Sequence, residues 1–297
     1  MRNVFETSGA ACKRGIIRVA AGFALVALGC TAALAESAKP SRIVSLNLCI
    51  DDLVLRLARP EHIVSVTWLS HDPRNSNVAE LARRVGKNHG LAEEIIPLDP
   101  DLVIAGTFST RTAVALLKRT PIRVVELGIP NSFADIRRQI ETVAKLIDET
   151  ARGELLIRDM DARLAAIPRA SGPRPRAMVF NPNGATVGRD TLVGEIMGLA
   201  GLDNVAAELG IDNYGTVPLE HVVQSNVDVL IVSASRDGPP SLATEILQHP
   251  VLAKISSRLK IVSMPARLWN CGGPAAAGAV EFLRGVAETV KRERAGQ

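Results

Sequence analysis

One amphipathic stretch in the middle of the chain constrains its fold more than any other feature. It covers residues 132–166, and its apolar residues recur close to every 3.6 positions, as in a helix with one buried face. Ser132 followed by Asp135 resembles a capping box at its start. We predict one long helix over this stretch, with Gly153 as the candidate position for a kink. A helix of about 50 Å exceeds what one compact lobe needs, which indicates a rigid connection between two lobes.

The segments on either side of this stretch repeat the same order of elements. Strand patterns alternate with helix patterns in residues 41–131 and again in residues 174–292. The apolar strand PDLVIAG in the first segment has a counterpart, VDVLIVSAS, in the second. Such alternation is typical of parallel sheets flanked by helices. The sequence therefore predicts an α/β fold of two lobes, each a mostly parallel sheet flanked by helices, joined by one long rigid helix.

Residues 1–35 have the pattern of a secretory signal peptide. Basic residues precede an apolar run, and an Ala-Leu-Ala cleavage pattern ends at residue 35. The apolar run is too short to span a bilayer comfortably. We predict cleavage and a location in the periplasm, and we favour this over lipid anchoring at Cys30.

Charge and motif content narrow the classes of function. The net charge of +4 owes much to the signal segment, so the sequence does not predict a nucleic-acid partner. The chain lacks the phosphate-binding glycine loops and the nucleophile elbow of common α/β enzymes. Asp51 and Asp52 are adjacent, and neighbouring residues of a helix do not face each other. We therefore predict that the protein is not an enzyme. A secreted hydrolase or metal-dependent enzyme, and a ligand-sensing module for a membrane receptor, remain as alternatives.

Residues just beyond the predicted strand ends are the candidates for ligand binding, because ligands of open α/β sheets bind at the carboxyl ends of the strands. Trp68 and Trp269 would form aromatic walls, although a core position suits each of them equally well. Arg236 and Arg267 would pair with ligand carboxylates. The full set is Asn47, Cys49, Trp68, His71, Thr107, Phe108, Asn181, Arg236, Arg267, Trp269 and Cys271.

Cys49 and Cys271 are the cysteines that remain after removal of the signal. Both follow predicted strands, one in each lobe. A disulfide between the lobes, two reduced thiols and coordination of a soft metal are all compatible with the sequence. We favour the disulfide, because an exported protein enters a compartment that permits it. No histidine or tyrosine pair has the spacing of metal ligands, so we predict no resident metal and no cofactor.

The quoted segments resemble a known family. SRIVSLNLCIDDLVLRLA, the block AEEIIPLDPDLVIAG and the central helix are similar to class III periplasmic substrate-binding proteins of ABC importers, within the group that binds cobalamin, haem and ferric siderophores. The resemblance covers residues 41–291. It implies a monomer that captures an iron- or cobalt-containing chelate between the lobes and delivers it to a permease and ATPase complex in the inner membrane. It further implies docking through one acidic residue on each lobe, which by position are Glu80 and Glu220.

Overall fold

The first lobe is built on a five-stranded sheet in which every pair of neighbouring strands is parallel. The computed structural model describes residues 39–232, 249–254 and 259–296. The strands are β1 (Ile43–Ser45), β2 (Ile63–Thr67), β3 (Gly86–Asn88), β4 (Leu102–Gly106) and β5 (Arg123–Leu127), in the spatial order β3-β2-β1-β4-β5. The helices are α1 (Leu48–Leu57), α2 (Ala79–Ala82), α3 (Ala92–Ile95) and α4 (Arg111–Leu117).

The burial of β4 explains why this strand reads as an unbroken apolar run. All its residues are buried. Leu102 and Ile104 join the cluster on one face of the sheet, and Val103 and Ala105 join the cluster on the other face. Because helices cover both faces, alternate residues cannot be polar, as is typical of a central parallel strand.

The second lobe contains a four-stranded parallel sheet and a separate antiparallel pair of strands. The sheet has the order β11-β10-β6-β8, from β6 (Arg176–Val179), β8 (Asp203–Asn204), β10 (Val229–Val232) and β11 (Lys260–Ser263). The antiparallel pair is β7 (Ala185–Val187) with β9 (Tyr214–Thr216). The helices are α7 (Leu192–Ala200), α8 (Val205–Glu208), α9 (Leu219–Gln224), α10 (Pro250–Lys254), α11 (Ala266–Trp269) and α12 (Ala276–Ala295). The predicted α/β architecture with mostly parallel sheets is confirmed, whereas the antiparallel pair was not predicted.

The prediction of one long helix between the lobes is wrong. Two helices occupy the stretch: α5 (Phe133–Leu146) and α6 (Thr150–Ala166). The chain reverses at Asp148, whose φ of 56° is left-handed, and the Glu149 N–H donates to the carbonyl of Ala144 at 2.8 Å. A left-handed residue after the last helical turn is a common way to end a helix. Each helix is amphipathic, so apolar residues recur at helical spacing both before and after the turn. The sequence pattern therefore does not reveal the turn.

The two helices form an antiparallel hairpin that contacts both lobes. Its turn lies against the first lobe, where Arg152 donates to the Leu57 carbonyl at 2.8 Å. At the opposite end, the Phe133 N–H donates to Glu195 of α7 at 2.7 Å, and Arg163 pairs with Glu281 of α12 at 2.7 Å. One hydrophobic cluster runs through both lobes and the hairpin, with Leu53, Ile104, Ile140, Met160, Ile196 and Leu283 among its members. The lobes are therefore joined by a continuous core rather than by a strut.

Some sequence predictions lie outside the described residues. These are the signal peptide, the anchoring alternative at Cys30, the helix pattern SLATEILQ and the candidate Arg236. Among the helices that the structure describes, none is long and apolar enough to cross a membrane.

Candidate ligand-binding site

A disulfide joins the loops that follow β1 and β11. Cys49 lies in the first turn of α1, and Cys271 follows α11. The two residues are 222 positions apart in sequence, and their Cα atoms are 4.9 Å apart. The bond therefore links the segment after β1, a central strand of the first sheet, to the segment after β11, an edge strand of the second sheet.

The backbone around the disulfide packs closely against side chains of the first lobe and of the segment before α5. A Cβ atom on Gly272 would overlap the ring of Pro130, and one on Gly273 would lie 3.4 Å from Oδ2 of Asp52. The Asn77 side chain donates to the carbonyl of Arg267 at 2.5 Å. The crevice between these segments holds about 10 Å³, which is room for about one water molecule. A large ligand therefore cannot bind beside the disulfide in this conformation.

A larger cavity of about 460 Å³, which we call the α4–β5 cavity, opens at the carboxyl ends of β4 and β5. Its lining includes Thr107, Ser109, Arg111, Val114, Lys118, Glu126 and Leu127. Lys118 and Glu126 form an ion pair, whereas Arg111 has no hydrogen-bonding or ionic partner in the part of the chain that the structure describes. The Ser109 hydroxyl donates to the Leu46 carbonyl at 2.8 Å and so fixes the loop after β4. The cavity therefore combines apolar surface with one uncompensated guanidinium group.

Two aromatic side chains are exposed just beyond strand ends of the first lobe. Trp68 is 48% exposed and begins the turn after β2, and its ring centroid lies 6.4 Å from that of His89. Phe108 is 81% exposed in the loop after β4. Only β1 separates β2 from β4 in the sheet, so the backbones of the two loops begin about 10 Å apart. Exposed aromatic surface beside a cavity is typical of a site for an apolar or planar ligand.

A buried carboxyl group holds the turn that carries Trp68. Oδ2 of Asp51, on α1, accepts hydrogen bonds from the Thr67 N–H at 3.1 Å, the Thr67 hydroxyl at 2.5 Å and the Ser70 hydroxyl. Its burial raises the pKa of Asp51 to about 7, against the lowering effect of these hydrogen bonds. The sequence suggested Asp51 only as half of a carboxylate pair, and its role in positioning the turn was not predicted. The signal that could have indicated this role is an acidic residue inside an apolar helix pattern.

His71 ends the same turn and is partly buried. Its Nε2 atom is buried and has no hydrogen-bond partner among the described residues. Desolvation lowers the pKa of His71, and the charges of Lys87 and Arg83 lower it further, so the imidazole is neutral at neutral pH. Within the described ranges, no group of three or more histidine, cysteine, aspartate or glutamate residues is arranged to hold a metal ion.

The structure assigns several predicted ligand-binding residues to other tasks. Trp269 is only 5% exposed and belongs to the hydrophobic core, so the prediction that it forms a ligand wall is wrong. The Asn47 side chain caps α1 by accepting from the Cys49 N–H at 2.9 Å, and it lies against Gly106. Asn181 is half-buried, and its N–H donates to the Ala185 carbonyl at 2.8 Å.

The remaining predicted residues fall into two places. Arg267 and Cys271 line the narrow crevice at the disulfide, next to Asp52. Thr107 lines the α4–β5 cavity, and its hydroxyl donates to the Leu127 carbonyl at 3.4 Å. The open part of the candidate site is therefore formed by the first lobe, between the turn of Trp68 and the α4–β5 cavity.

Comparison with known proteins identifies the family. The family model described as "Periplasmic binding protein" matches residues 43–257, and the chain therefore belongs to the periplasmic binding protein family. This family consists of substrate-binding proteins rather than enzymes.

Individual relatives agree with this assignment. A protein of Halobacterium salinarum named "Cobalamin-binding protein" is 24% identical over 220 residues, which are 72% of this chain and 60% of that protein. The chain thus matches less than two thirds of that relative's length. The "Uncharacterized ABC transporter substrate-binding lipoprotein YvrC" of Bacillus subtilis is 26% identical over 70% of this chain and 67% of its own length. The structure of the "Periplasmic heme-binding protein RhuT" from Roseiflexus superposes with a TM-score of 0.65 at 23% identity, covering 84% of this chain and 98% of the other.

Proposed function

We propose that this chain is the solute-binding component of an ABC importer. It captures an iron- or cobalt-containing chelate, of the cobalamin, haem or ferric-siderophore type, and delivers it to a permease and ATPase complex in the inner membrane. Membership of the binding-protein family and the printed activities of its relatives support the class of function. The observation that carries the ligand class is the exposed Phe108, in the loop that borders the α4–β5 cavity, together with the exposed Trp68 two strands away at the same edge of the sheet.

The ligand lies at the open part of the first lobe rather than at the disulfide. The planar face of a chelate packs on Trp68 and Phe108, which supply apolar contact without breaking any hydrogen bond of the fold. Arg111 binds an acidic substituent of the chelate, since a guanidinium group recognises carboxylates through paired hydrogen bonds. The protein binds and releases this ligand without covalent chemistry and without a cofactor of its own.

A thermal-shift screen of the full chain tests this proposal. The probes are haemin, cyanocobalamin, a ferric hydroxamate, ferric citrate and molybdate. A ligand at about one hundred times its dissociation constant adds about 2.7 kcal/mol and raises the melting temperature by a few degrees. We expect one chelate to give this shift, and expect Arg111→Glu to reduce it more for an acidic chelate than for cyanocobalamin. No shift with any chelate, or a shift with molybdate alone, would contradict the proposed ligand class.

Glu80 and Glu220 are proposed as the docking residues for the permease. Glu80 is exposed on α2 and pairs with Arg83 of the same helix, with 2.8 Å between the charged atoms. Glu220 is exposed in the first turn of α9. Both proposed docking residues are therefore exposed to solvent, one on each lobe, as the family resemblance implies.

We further propose that the chain acts as a monomer in the periplasm after removal of residues 1–35. Membership of the periplasmic family supports the location, and a lipoprotein among the relatives keeps anchoring at Cys30 as the competing possibility. Mass spectrometry of the exported protein separates the two, since cleavage after residue 35 leaves no Cys30 and lipidation adds acyl mass to it.

A further inference from the structure

The contact around Cys49 and Cys271 combines a covalent bond with close approach of two glycines. On the second-lobe side it is formed by the segment 265–275, in which Gly273 lies beside Asp52 of α1 and Gly272 packs on the ring of Pro130. One hydrogen bond, from Asn77 to the Arg267 carbonyl, accompanies the covalent bond. Both cysteines are half-buried rather than enclosed in the core. Breaking the disulfide therefore removes the covalent restraint on this segment, and the burial of Trp269 is the main apolar contact that remains to hold it.

The position of Cys49 favours reduction. It lies in the first turn of α1, a helix of 10 residues, where the partial positive charge of the helix N-terminus stabilises a thiolate. A thiol of lower pKa leaves a disulfide faster. The carboxyl groups of Asp51 and Asp52 on the same helix oppose this effect, but burial raises the pKa of Asp51 to about 7, and Asp52 is paired with Arg56 at 3.0 Å. Cys49 is therefore the better leaving group, and the sulfur of Cys271 is the one attacked.

We propose that the Cys49–Cys271 disulfide is a redox-controlled clamp that holds the segment 265–275 against α1 and keeps this part of the interlobe cleft closed. A dithiol reductant opens it in two steps. One thiolate of the reductant attacks Sγ of Cys271, the Cys49 thiolate leaves, and a mixed disulfide forms. The second thiol of the reductant then displaces Cys271, so that the reductant becomes the disulfide and both protein sulfurs take up protons.

The clamp has a consequence for the cargo that rests on the proposed function. With the clamp closed, the cleft beside the disulfide has room for about one water molecule, and ligand binds only at the rim of the first lobe. With the clamp open, the segment 265–275 moves away and the cleft beside the disulfide becomes accessible to a ligand that the closed clamp excludes. A dithiol oxidoreductase of the exported compartment is the class of partner that would operate the clamp.

Trp269 provides a cargo-independent test, because it lies two residues before Cys271 and is buried. In the Trp68→Phe variant of the full chain, purified without reductant, Trp269 is the remaining tryptophan. We expect dithiothreitol to release two thiols from this bond and to shift the Trp269 emission to longer wavelength, with stronger acrylamide quenching. The matched control is the same variant with Cys49→Ser and Cys271→Ser, which should show the shifted emission with or without dithiothreitol. Circular dichroism checks that every variant remains folded.

Single-cysteine variants test the leaving group. Cys271→Ser leaves the Cys49 thiol, and Cys49→Ser leaves the Cys271 thiol as its matched control. We expect the pH profile of alkylation to give Cys49 a thiol pKa below the ordinary value of about 8.5, and Cys271 a higher pKa than Cys49.

Several results would overturn the clamp. They are free thiols at these positions before reduction, a bond that resists dithiothreitol in the folded protein, and complete reduction without any change in Trp269 emission or quenching. None of these results depends on which ligand binds, so failure of the clamp and failure of the importer proposal are separate outcomes.

Discussion

Gly153 of α6 packs directly on Ala144 of α5, and a Cβ atom added at Gly153 would lie 2.6 Å from the Ala144 Cβ. The two helices can approach this closely only because position 153 has no side chain. The same contact fixes how the hairpin sits between the lobes, since α5 packs on α1 and α6 packs on α12.

Gly153→Ala should therefore lower the free energy of unfolding. Overpacking of a close helix contact costs about 1–3 kcal/mol, which exceeds the gain in helix propensity from alanine. Urea unfolding under non-reducing conditions measures this change in the free energy of unfolding. Gly285→Ala in α12 is the matched control, because no atom lies within 4 Å of the added Cβ, and it should raise stability by about 0.5–1 kcal/mol. Equal effects of the two substitutions would show that the Gly153 contact does not limit the packing.

The contrast between the sheet and the hairpin shows what the sequence contains. The strand β4 is readable because burial on both faces excludes polar residues from five consecutive positions. The turn at Asp148 could not be predicted. Helical periodicity indicates which face of a helix is apolar, but it does not indicate whether the chain reverses direction between two helices. The sequence suggested Gly153 as the position of a kink in a single helix. In the structure, its lack of a side chain allows close contact between two helices.

The sequence predicted where the candidate site lies in the fold, but not how deeply each of its side chains is buried. Trp68 and Trp269 both follow strands, so the topology predicts for both a position at the ligand site. A one-turn helix, α11, carries Trp269 into the core, whereas the turn after β2 leaves Trp68 half-exposed. The α4–β5 cavity was missed, because Arg111 and Lys118 read as ordinary charges on a helix until the fold places them beside β5.

The two tryptophans should respond in opposite ways to truncation. Trp269→Ala should lower the free energy of unfolding by about 3–5 kcal/mol, since it empties a core position. Trp68→Ala should change stability by no more than about 0.5 kcal/mol, because the side chain is half-exposed. The same change should weaken binding of the chelate found in the screen by about tenfold, which corresponds to about 1.4 kcal/mol. Urea unfolding measures the stability of both variants, and a binding titration measures their affinity for the chelate. Unchanged affinity in Trp68→Ala would remove this residue from the site.

Stability should depend on pH through Asp51. Burial raises its pKa from 3.8 to about 7, so the folded protein holds this proton more tightly than the unfolded chain does. Its contribution to stability is fully present below the unfolded pKa and is lost as the pH rises through about 7. Asp51→Asn removes the titrating group. Between these two pKa values the wild-type free energy of unfolding should therefore fall relative to that of Asp51→Asn, by up to about 1.4 kcal/mol per pH unit.

Urea unfolding across this pH range measures the Asp51 effect, with the disulfide intact. Asp159→Asn, an exposed position on α6, is the control and should leave the pH dependence of the wild type unchanged. Parallel pH curves for the wild type and Asp51→Asn would contradict a raised pKa. The turn that carries Trp68 gives a second readout, because Thr67 and Ser70 of this turn donate to Asp51, and the new charge on Asp51 should change the Trp68 fluorescence over the same range.

Reversal of the two docking charges should separate transport from binding. The docking residues are proposed to be acidic, as the resemblance implies, which calls for basic groups on the permease. In Glu80→Lys with Glu220→Lys, both lobes would present a positive charge to these groups, and like charges across an interface are strongly unfavourable. We expect uptake by cells to be lost. Ligand affinity should be unchanged, because both side chains are exposed and neither lines the α4–β5 cavity. Stability should change by less than about 0.5 kcal/mol, since the Glu80–Arg83 pair is exposed to solvent.

The matched control for docking is Glu141→Lys with Glu154→Lys, which reverses two exposed charges on the hairpin and alters the net charge by the same amount. Loss of uptake in the docking variant alone places the contact on α2 and α9. Equal loss in both variants would indicate a general effect of charge on the encounter with the membrane complex, and normal uptake by the docking variant would remove Glu80 and Glu220 from the interface. Because Glu80 and Glu220 lie on different lobes, the two single variants then show whether each lobe contributes separately to docking.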